Sequence, residues 1–206
     1  MKQLLSTIIA LGIVALLNAQ NKNYVAVSVY NTQSAMPFGK LAGLFSDQFH
    51  PGVEGTYGRN ISTGKNHEWF SELRVSYFFH RYVQHAIPLY FNLGYRYKVN
   101  NKFSAETSVG AGYMHSIPAT AKLKLNENGE YKNNKGIGRA QAMATFSLGM
   151  AYSPKPTADK PFIVFVNYHQ RVQAPFIKSY VPLLPYTSFM IGVRKPIKNI
   201  SNGQKS

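Results

Sequence analysis

The chain contains no cysteine among its 206 residues. That excludes disulfide bonds, thiolate metal sites and an acyl-cysteine membrane anchor. Acidic residues are scarce: 8 Asp and Glu stand against 23 Lys and Arg, giving a formal net charge of +15. Tryptophan occurs once, and beyond residue 17 no apolar run is long enough for a transmembrane helix. Rings and small residues are plentiful instead, with 14 Tyr, 13 Phe and 16 Gly. The mean hydropathy of −0.21 resembles that of a soluble chain. A transmembrane β-barrel shows the same combination, because its strands alternate and never build a continuous apolar segment. The basic balance suits an anionic partner such as the phosphates of lipopolysaccharide. No motif for RNA or DNA accompanies it, so nucleic acid is not an expected partner.

The first residues carry Lys2, an apolar run over 4–17 and then Asn18-Ala19-Gln20. A positive start, a short apolar core and a small residue at its end predict a secretory signal peptide, cleaved after Ala19. The expected organisation is a signal peptide over 1–19, one barrel over 20–197 and a polar tail over 198–206.

Eight segments alternate with a period of two and are predicted as strands: 24–31, 51–60, 68–80, 86–99, 102–116, 139–153, 161–174 and 186–195. In the fourth, Ile87, Leu89, Phe91, Leu93, Tyr95 and Tyr97 share one face, opposite Tyr90, Asn92, Gly94, Arg96 and Lys98. In the fifth, Phe103, Val109 and Tyr113 oppose Ser104, Glu106, Ser108 and the glycines 110 and 112. A soluble β-sandwich shares this period, with the apolar faces in a dry core. Two features favour a membrane barrel. The polar faces bring together Glu54, Glu72, Arg74, Arg96, Glu106, His169, Arg171 and Arg194, which suits an enclosed ion-pair network within a lumen. Aromatic residues also fall toward strand ends, at Tyr24, Tyr30, Trp69, Tyr95, Tyr97, Tyr113, Tyr152 and Tyr186, as in interfacial girdles. The predicted fold is all-β, an eight-stranded antiparallel up-and-down transmembrane β-barrel. Eight strands make a narrow barrel whose interior side chains can fill.

Connection lengths suggest the orientation. Short links follow even-numbered strands (61–67, 100–101, 154–160), and longer ones follow odd-numbered strands (32–50, 117–138, 176–185), apart from the brief 81–85 link. With an even strand count, both termini are expected in the periplasm of a Gram-negative cell and the long loops outside. Asn100-Asn101 predicts a two-residue hairpin turn. Asn126-Glu127-Asn128-Gly129 predicts the tip of a hairpin projecting from the third long loop. The 34–49 and 176–185 loops are unusually apolar, which suits contact with lipid or with another envelope protein.

Of six histidines, five fall toward the outer half on this topology, with His67 at the other end. No His-x-His or His-x-x-x-His spacing calls for a metal, and nothing calls for a cofactor. The sharper candidate is His115-Ser116 at the outer end of the fifth strand, since a serine activated by a histidine can cleave an acyl ester. The pair resembles the His-x-Ser motif of outer-membrane lipid A deacylases, which are eight-stranded barrels. That resemblance implies His115 as base and Ser116 as nucleophile, with Glu127 or Glu130 as the acid. Here the two residues are adjacent, so alternation sends His115 to the lipid face and Ser116 inward. The segments "FHPGVEG", "FFHRYVQHAI", "GYRYK", "GAGYMHSIP" and "KSYVPLLP" together resemble a family of small outer-membrane β-barrel proteins of Bacteroidota with no assigned activity. The resemblance implies fold and location only. The expected role is a non-enzymatic outer-membrane barrel binding lipid or a partner through its extracellular loops, the alternative being a lipid A acyl-ester hydrolase.

Overall fold

Alternation along each strand decides the architecture. In the computed structural model, which describes residues 23–34, 47–121, 123–133, 136–156, 161–176 and 182–197, apolar side chains point out and charged ones point in. Val27 is 60% exposed and Val109 58%, while Glu54 is 3% and Arg171 0% exposed. In water such a surface would be unstable. Against hydrocarbon it is the expected one, and it rules out the dry-core sandwich. Among the described residues no helix is long and apolar enough to cross a membrane.

The strands are β1 (Asn23–Ser34), β2 (Pro51–Thr63), β3 (His67–His80), β4 (Gln84–Lys98), β5 (Phe103–Pro118), β6 (Leu123–Leu125), β7 (Tyr131–Asn133), β8 (Arg139–Tyr152), β9 (Ile163–Ala174) and β10 (Leu184–Pro196). Eight of them form a closed antiparallel barrel in the order β1-β2-β3-β4-β5-β8-β9-β10, and β10 returns to β1 from Tyr24↔Pro196 to Ser34↔Tyr186. Closure leaves no unpaired edge, as a hydrocarbon solvent requires. The short strands β6 and β7 pair outside the barrel, and the 126–130 segment turns between them as predicted.

The start of β1 and the end of β10 lie side by side, so one end of the barrel carries both, together with the links 64–66, 99–102 and 153–162. The opposite end carries the links 35–50, 81–83, 119–138 and 175–183. These are called the terminal end and the loop end below. The Asn100-Asn101 turn is a longer link than expected, over 99–102. The Asn100 side-chain oxygen accepts hydrogen bonds from the Lys102 and Phe103 amides, both 2.8 Å, which satisfies the turn without a two-residue geometry. Most of the two apolar loops (35–46 and 177–181), the leader and the tail after residue 197 lie outside the described residues.

Outward-facing rings gather toward both ends. Trp69, Tyr97, Phe103 and Tyr152 lie at the terminal end, and Tyr77 and Tyr113 at the loop end. Tyr24, Tyr30 and Tyr186, expected in these girdles, are buried inside the barrel instead. Their parity is that of the inward Ala26, Ser28 and Ser188. Space for two of the rings comes from glycine on the facing strand: Tyr24 lies over Gly58 and Tyr30 over Gly52, where a side chain would collide with the ring.

Candidate functional site

The buried charges among the described residues are four arginines (74, 96, 171, 194) and four glutamates (54, 68, 72, 106), all pointing into the lumen. They form two connected groups and one exception. Toward the terminal end, Glu106 receives Arg194 through two parallel bonds, Nη1–Oε1 at 2.8 Å and Nη2–Oε2 at 2.7 Å. Arg96 adds Nε to Oε1 of the same carboxylate at 2.7 Å. The Nη1 of Arg96 reaches Glu68 Oε2 at 2.6 Å, and Lys98 Nζ holds Glu68 Oε1 at 2.6 Å. The guanidinium of Arg96 also lies 4.9 Å from the Phe70 ring centre, and that of Arg194 lies 4.9 Å from Tyr24.

In the middle layer the roles invert, and one cation serves two acids. Arg74 gives Nε and Nη2 to Glu72 Oε2, at 2.9 and 2.6 Å, and Nη1 to Glu54 Oε1 at 3.1 Å. The remaining oxygens are taken by tyrosines: Tyr24 donates to Glu72 Oε1 at 2.8 Å, and Tyr90 donates to Glu54 Oε2. Each carboxylate is thus held by more than one donor, the condition under which buried charges are tolerated. Neutral groups continue the packing. Thr145 donates to Asn92 Oδ1 at 2.9 Å, Ser108 and Ser147 share a bond at 2.6 Å, and Gln84 donates to Gln173 at 2.6 Å.

Arg171 and His169, expected within the ion-pair network, stand apart from it. No Arg171 nitrogen and neither His169 ring nitrogen has a hydrogen-bond partner. Arg171 sits instead among the rings of Phe78, Tyr30 and Tyr90, at 5.1, 5.8 and 5.8 Å. Glu106 is engaged by Arg96 and Arg194, and Glu72 by Arg74 and Tyr24. Glu54, whose charge reaches Arg171, has both oxygens occupied by Arg74 and Tyr90.

Toward the loop end from this layer, two buried histidines pair. The rings of His50 and His80 stack with centres 3.8 Å apart and planes 8° from parallel. His50 is anchored from both sides: its Nδ1 contacts Gln33 Oε1 at 3.1 Å, and its amide donates to Asn31 Oδ1 at 2.8 Å. Burial lowers the pKa of His50 below the ordinary imidazole value. Among the described residues no three His, Cys, Asp or Glu side chains come together as a metal site.

The structure does not bring His115 and Ser116 together. The Ser116 hydroxyl is buried in the lumen and donates to Gln141, which in turn donates to the Pro175 carbonyl at 2.7 Å. His115 lies on the outer wall with both ring nitrogens engaged, Nδ1 with the Tyr113 hydroxyl at 2.9 Å and Nε2 with the Ile137 carbonyl at 2.8 Å. Glu127 and Glu130 are exposed on the projecting turn, where Glu130 accepts from Asn126 at 3.3 Å. This arrangement makes His115 a clasp between the barrel wall and the returning end of the long loop. Replacing it with phenylalanine removes both bonds, and the one that holds the loop is worth about 1 kcal/mol, or roughly a fivefold shift in local opening. Amide exchange should rise by that factor over 119–138 and stay unchanged in the barrel strands.

Glu68 is a lumen residue absent from the predicted network, although it shares parity with Phe70 and Glu72 on β3. Tyr24 and Tyr90, the hydroxyl donors of the middle layer, were likewise not assigned to it.

No family model and no curated protein matches the sequence. Several solved structures do match in fold. Neisserial surface protein A aligns with 87% of this chain and 100% of its own, at 6% identity and a TM-score of 0.51. The attachment invasion locus protein Ail of Yersinia pestis aligns with 87% of this chain and 100% of its own, at 12% identity and a TM-score of 0.49. The N-terminal β-barrel domain of OprF from Pseudomonas aeruginosa covers 85% of this chain and 99% of its own, at 15% identity and a TM-score of 0.44. At these identities the likeness is one of fold: the chain has the architecture of a small eight-stranded membrane β-barrel.

Proposed function

We propose that this protein is a sealed, non-enzymatic barrel of a Gram-negative outer membrane, with both termini in the periplasm, that binds lipopolysaccharide through its outward loops. The observation that carries this reading is the filled lumen. Eight buried charges and their hydroxyl and amide partners occupy the space through which a solute would pass, so function falls to the surfaces at the two ends. The long connections at the loop end supply one such surface. The 119–138 link carries Lys122, Lys124, Lys132 and Lys135 against Glu127 and Glu130, an excess of positive charge suited to lipid A phosphates. Tyr77 and Tyr113 lie on the wall just below it, each bonded to a histidine (His85 and His115).

Lipid A mass spectrometry tests this. Barrel extracted from its own membrane in mild detergent should carry lipid A, and a variant with 120–136 replaced by a Gly-Ser linker should lose it. Retention by the linker variant would remove the loop from the proposal, and capture of an envelope protein in place of lipid would turn the reading toward a protein partner. The same spectra address the hydrolase alternative. Lipid A lacking an acyl chain in cells that make the protein, and intact in cells making His115→Ala, would establish it. The engaged nitrogens of His115 and the inward Ser116 favour unchanged acylation in both.

A further inference from the structure

The terminal end holds a cavity of about 390 Å³ that the membrane role leaves unused. Its walls divide by chemistry. Arg96, Lys98, Lys102 and Arg194 supply positive charge, and Glu68 is the one acid among the lining residues. Glu106 lies directly behind, bonded to both arginines. Four cations against these two carboxylates leave an excess of two positive charges around the space. The carboxylates do not saturate the guanidinium groups: Arg96 Nη2 and Arg194 Nε have no hydrogen-bond partner, although both atoms are buried and contribute charge and not a direct contact to the space. Lys102, on the exposed rim, makes no ion pair among the described residues. An apolar shoulder is formed by Ala151, Ile163 and three prolines (156, 161, 196).

We propose that this vestibule is a binding site for a soluble phosphate monoester bearing an apolar group. The double positive excess matches a phosphate dianion, and lysine ammonium with arginine guanidinium groups is the donor set that recognises phosphate oxygens. The cavity falls in the size range of small-molecule pockets, well beyond a bare phosphate, and its apolar shoulder gives the rest of the ligand a place to sit. The two arginines are pre-set by Glu106 and Glu68, so binding costs little side-chain ordering on that side. The site opens at the barrel mouth and not on the lipid-facing wall, which favours a soluble ester over a lipid headgroup. The proposal concerns the end opposite the lipid-binding loops and does not rest on their role.

Calorimetric titration of the full barrel in detergent micelles tests it, with phenyl phosphate, inorganic phosphate and a short-chain phosphatidic acid as probes. Phenyl phosphate should bind with one-to-one stoichiometry, about tenfold tighter than inorganic phosphate because its ring is buried on the apolar shoulder. The double variant K98Q/K102Q, which removes both lysines of the mouth and with Lys98 one ion pair to Glu68, should weaken phenyl phosphate by about tenfold or more. Ser104→Trp, which fills the cavity without changing charge, should abolish binding, while Lys132→Gln on the far hairpin should leave it unchanged. Folding of each variant is read from heat-modifiable gel migration, and if Ser104→Trp fails to fold, the lysine variant decides alone. Absence of binding by phenyl phosphate, or equal binding by wild type and K98Q/K102Q, would overturn the site. Tightest binding of phosphatidic acid would overturn the choice of a soluble ligand.

Discussion

Replacing Arg74 by methionine is expected to lower the stability of the barrel by about 3–5 kcal/mol, whereas the same replacement at Arg171 should cost no more than about 1 kcal/mol. Both side chains are buried cations in the same lumen, and what differs is the company they keep. Among the described residues Arg74 is the only cation bonded to Glu72 and Glu54, so its removal leaves two carboxylates in the interior with one tyrosine hydroxyl each. An uncompensated buried charge carries a large penalty, and here there would be two. Arg171 bonds to no carboxylate. Its three ring contacts return about 0.5–2 kcal/mol each, which offsets only part of the several kcal/mol that stripping water from a guanidinium costs. A methionine there keeps much of the volume and packs favourably against aromatic rings. Loss of Arg171 also removes a charge that attracts Glu54, so a small cost is expected and not a gain. Urea unfolding in lipid vesicles, followed by heat-modifiable gel migration, reads both values. Equal losses at the two positions would mean that the paired and unpaired arginines are equivalent.

Gly112→Val should prevent folding or cost on the order of 3 kcal/mol or more, while Gly55→Val stays within about 1 kcal/mol of wild type. A Cβ at Gly112 would lie 2.5 Å from the Tyr90 Cα and would collide with the Leu89 carbonyl oxygen on β4. Those are backbone atoms of the neighbouring strand, so no rotamer change relieves the clash. The strand pairing itself would have to open, next to the tyrosine that holds Glu54. Gly55 lies on the outer face, and nothing stands within 4 Å of the position its Cβ would take. Valine also suits a strand better than glycine does. Refolding yield into vesicles, scored on gels, measures the contrast.

The period of two carried most of the fold and the sidedness of the lumen. It placed Glu54, Glu72, Arg74, Arg96, Glu106 and Arg194 together because each keeps one parity within its strand. The same rule, applied from Glu68, would have added that residue. Glu68 is the first residue of the predicted 68–80 strand, where the alternation has only just begun. Tyr24, Tyr30 and Tyr186 stand near strand ends, as girdle residues do, but their parity is inward, and parity is a hard geometric constraint where a girdle is only a tendency. The ring cage of Arg171 draws on β1, β3 and β4, so it depends on register across strands far apart in the chain, which local pattern does not contain. The opposed directions of His115 and Ser116 follow from adjacency alone. The bond from His115 to the Ile137 carbonyl does not, because the loop that delivers that carbonyl has no period. The vestibule was equally hidden, being made by strand ends and turns whose boundaries alternation leaves loose.

The sealed lumen is tested most directly by the conductance of the purified, refolded protein in planar lipid bilayers. The layered network of Glu106, Arg74 and their partners, with the His50–His80 stack toward the loop end, predicts a flat current with no discrete opening steps. Reproducible steps of uniform size from the folded, heat-modifiable form would contradict it and make the protein a channel.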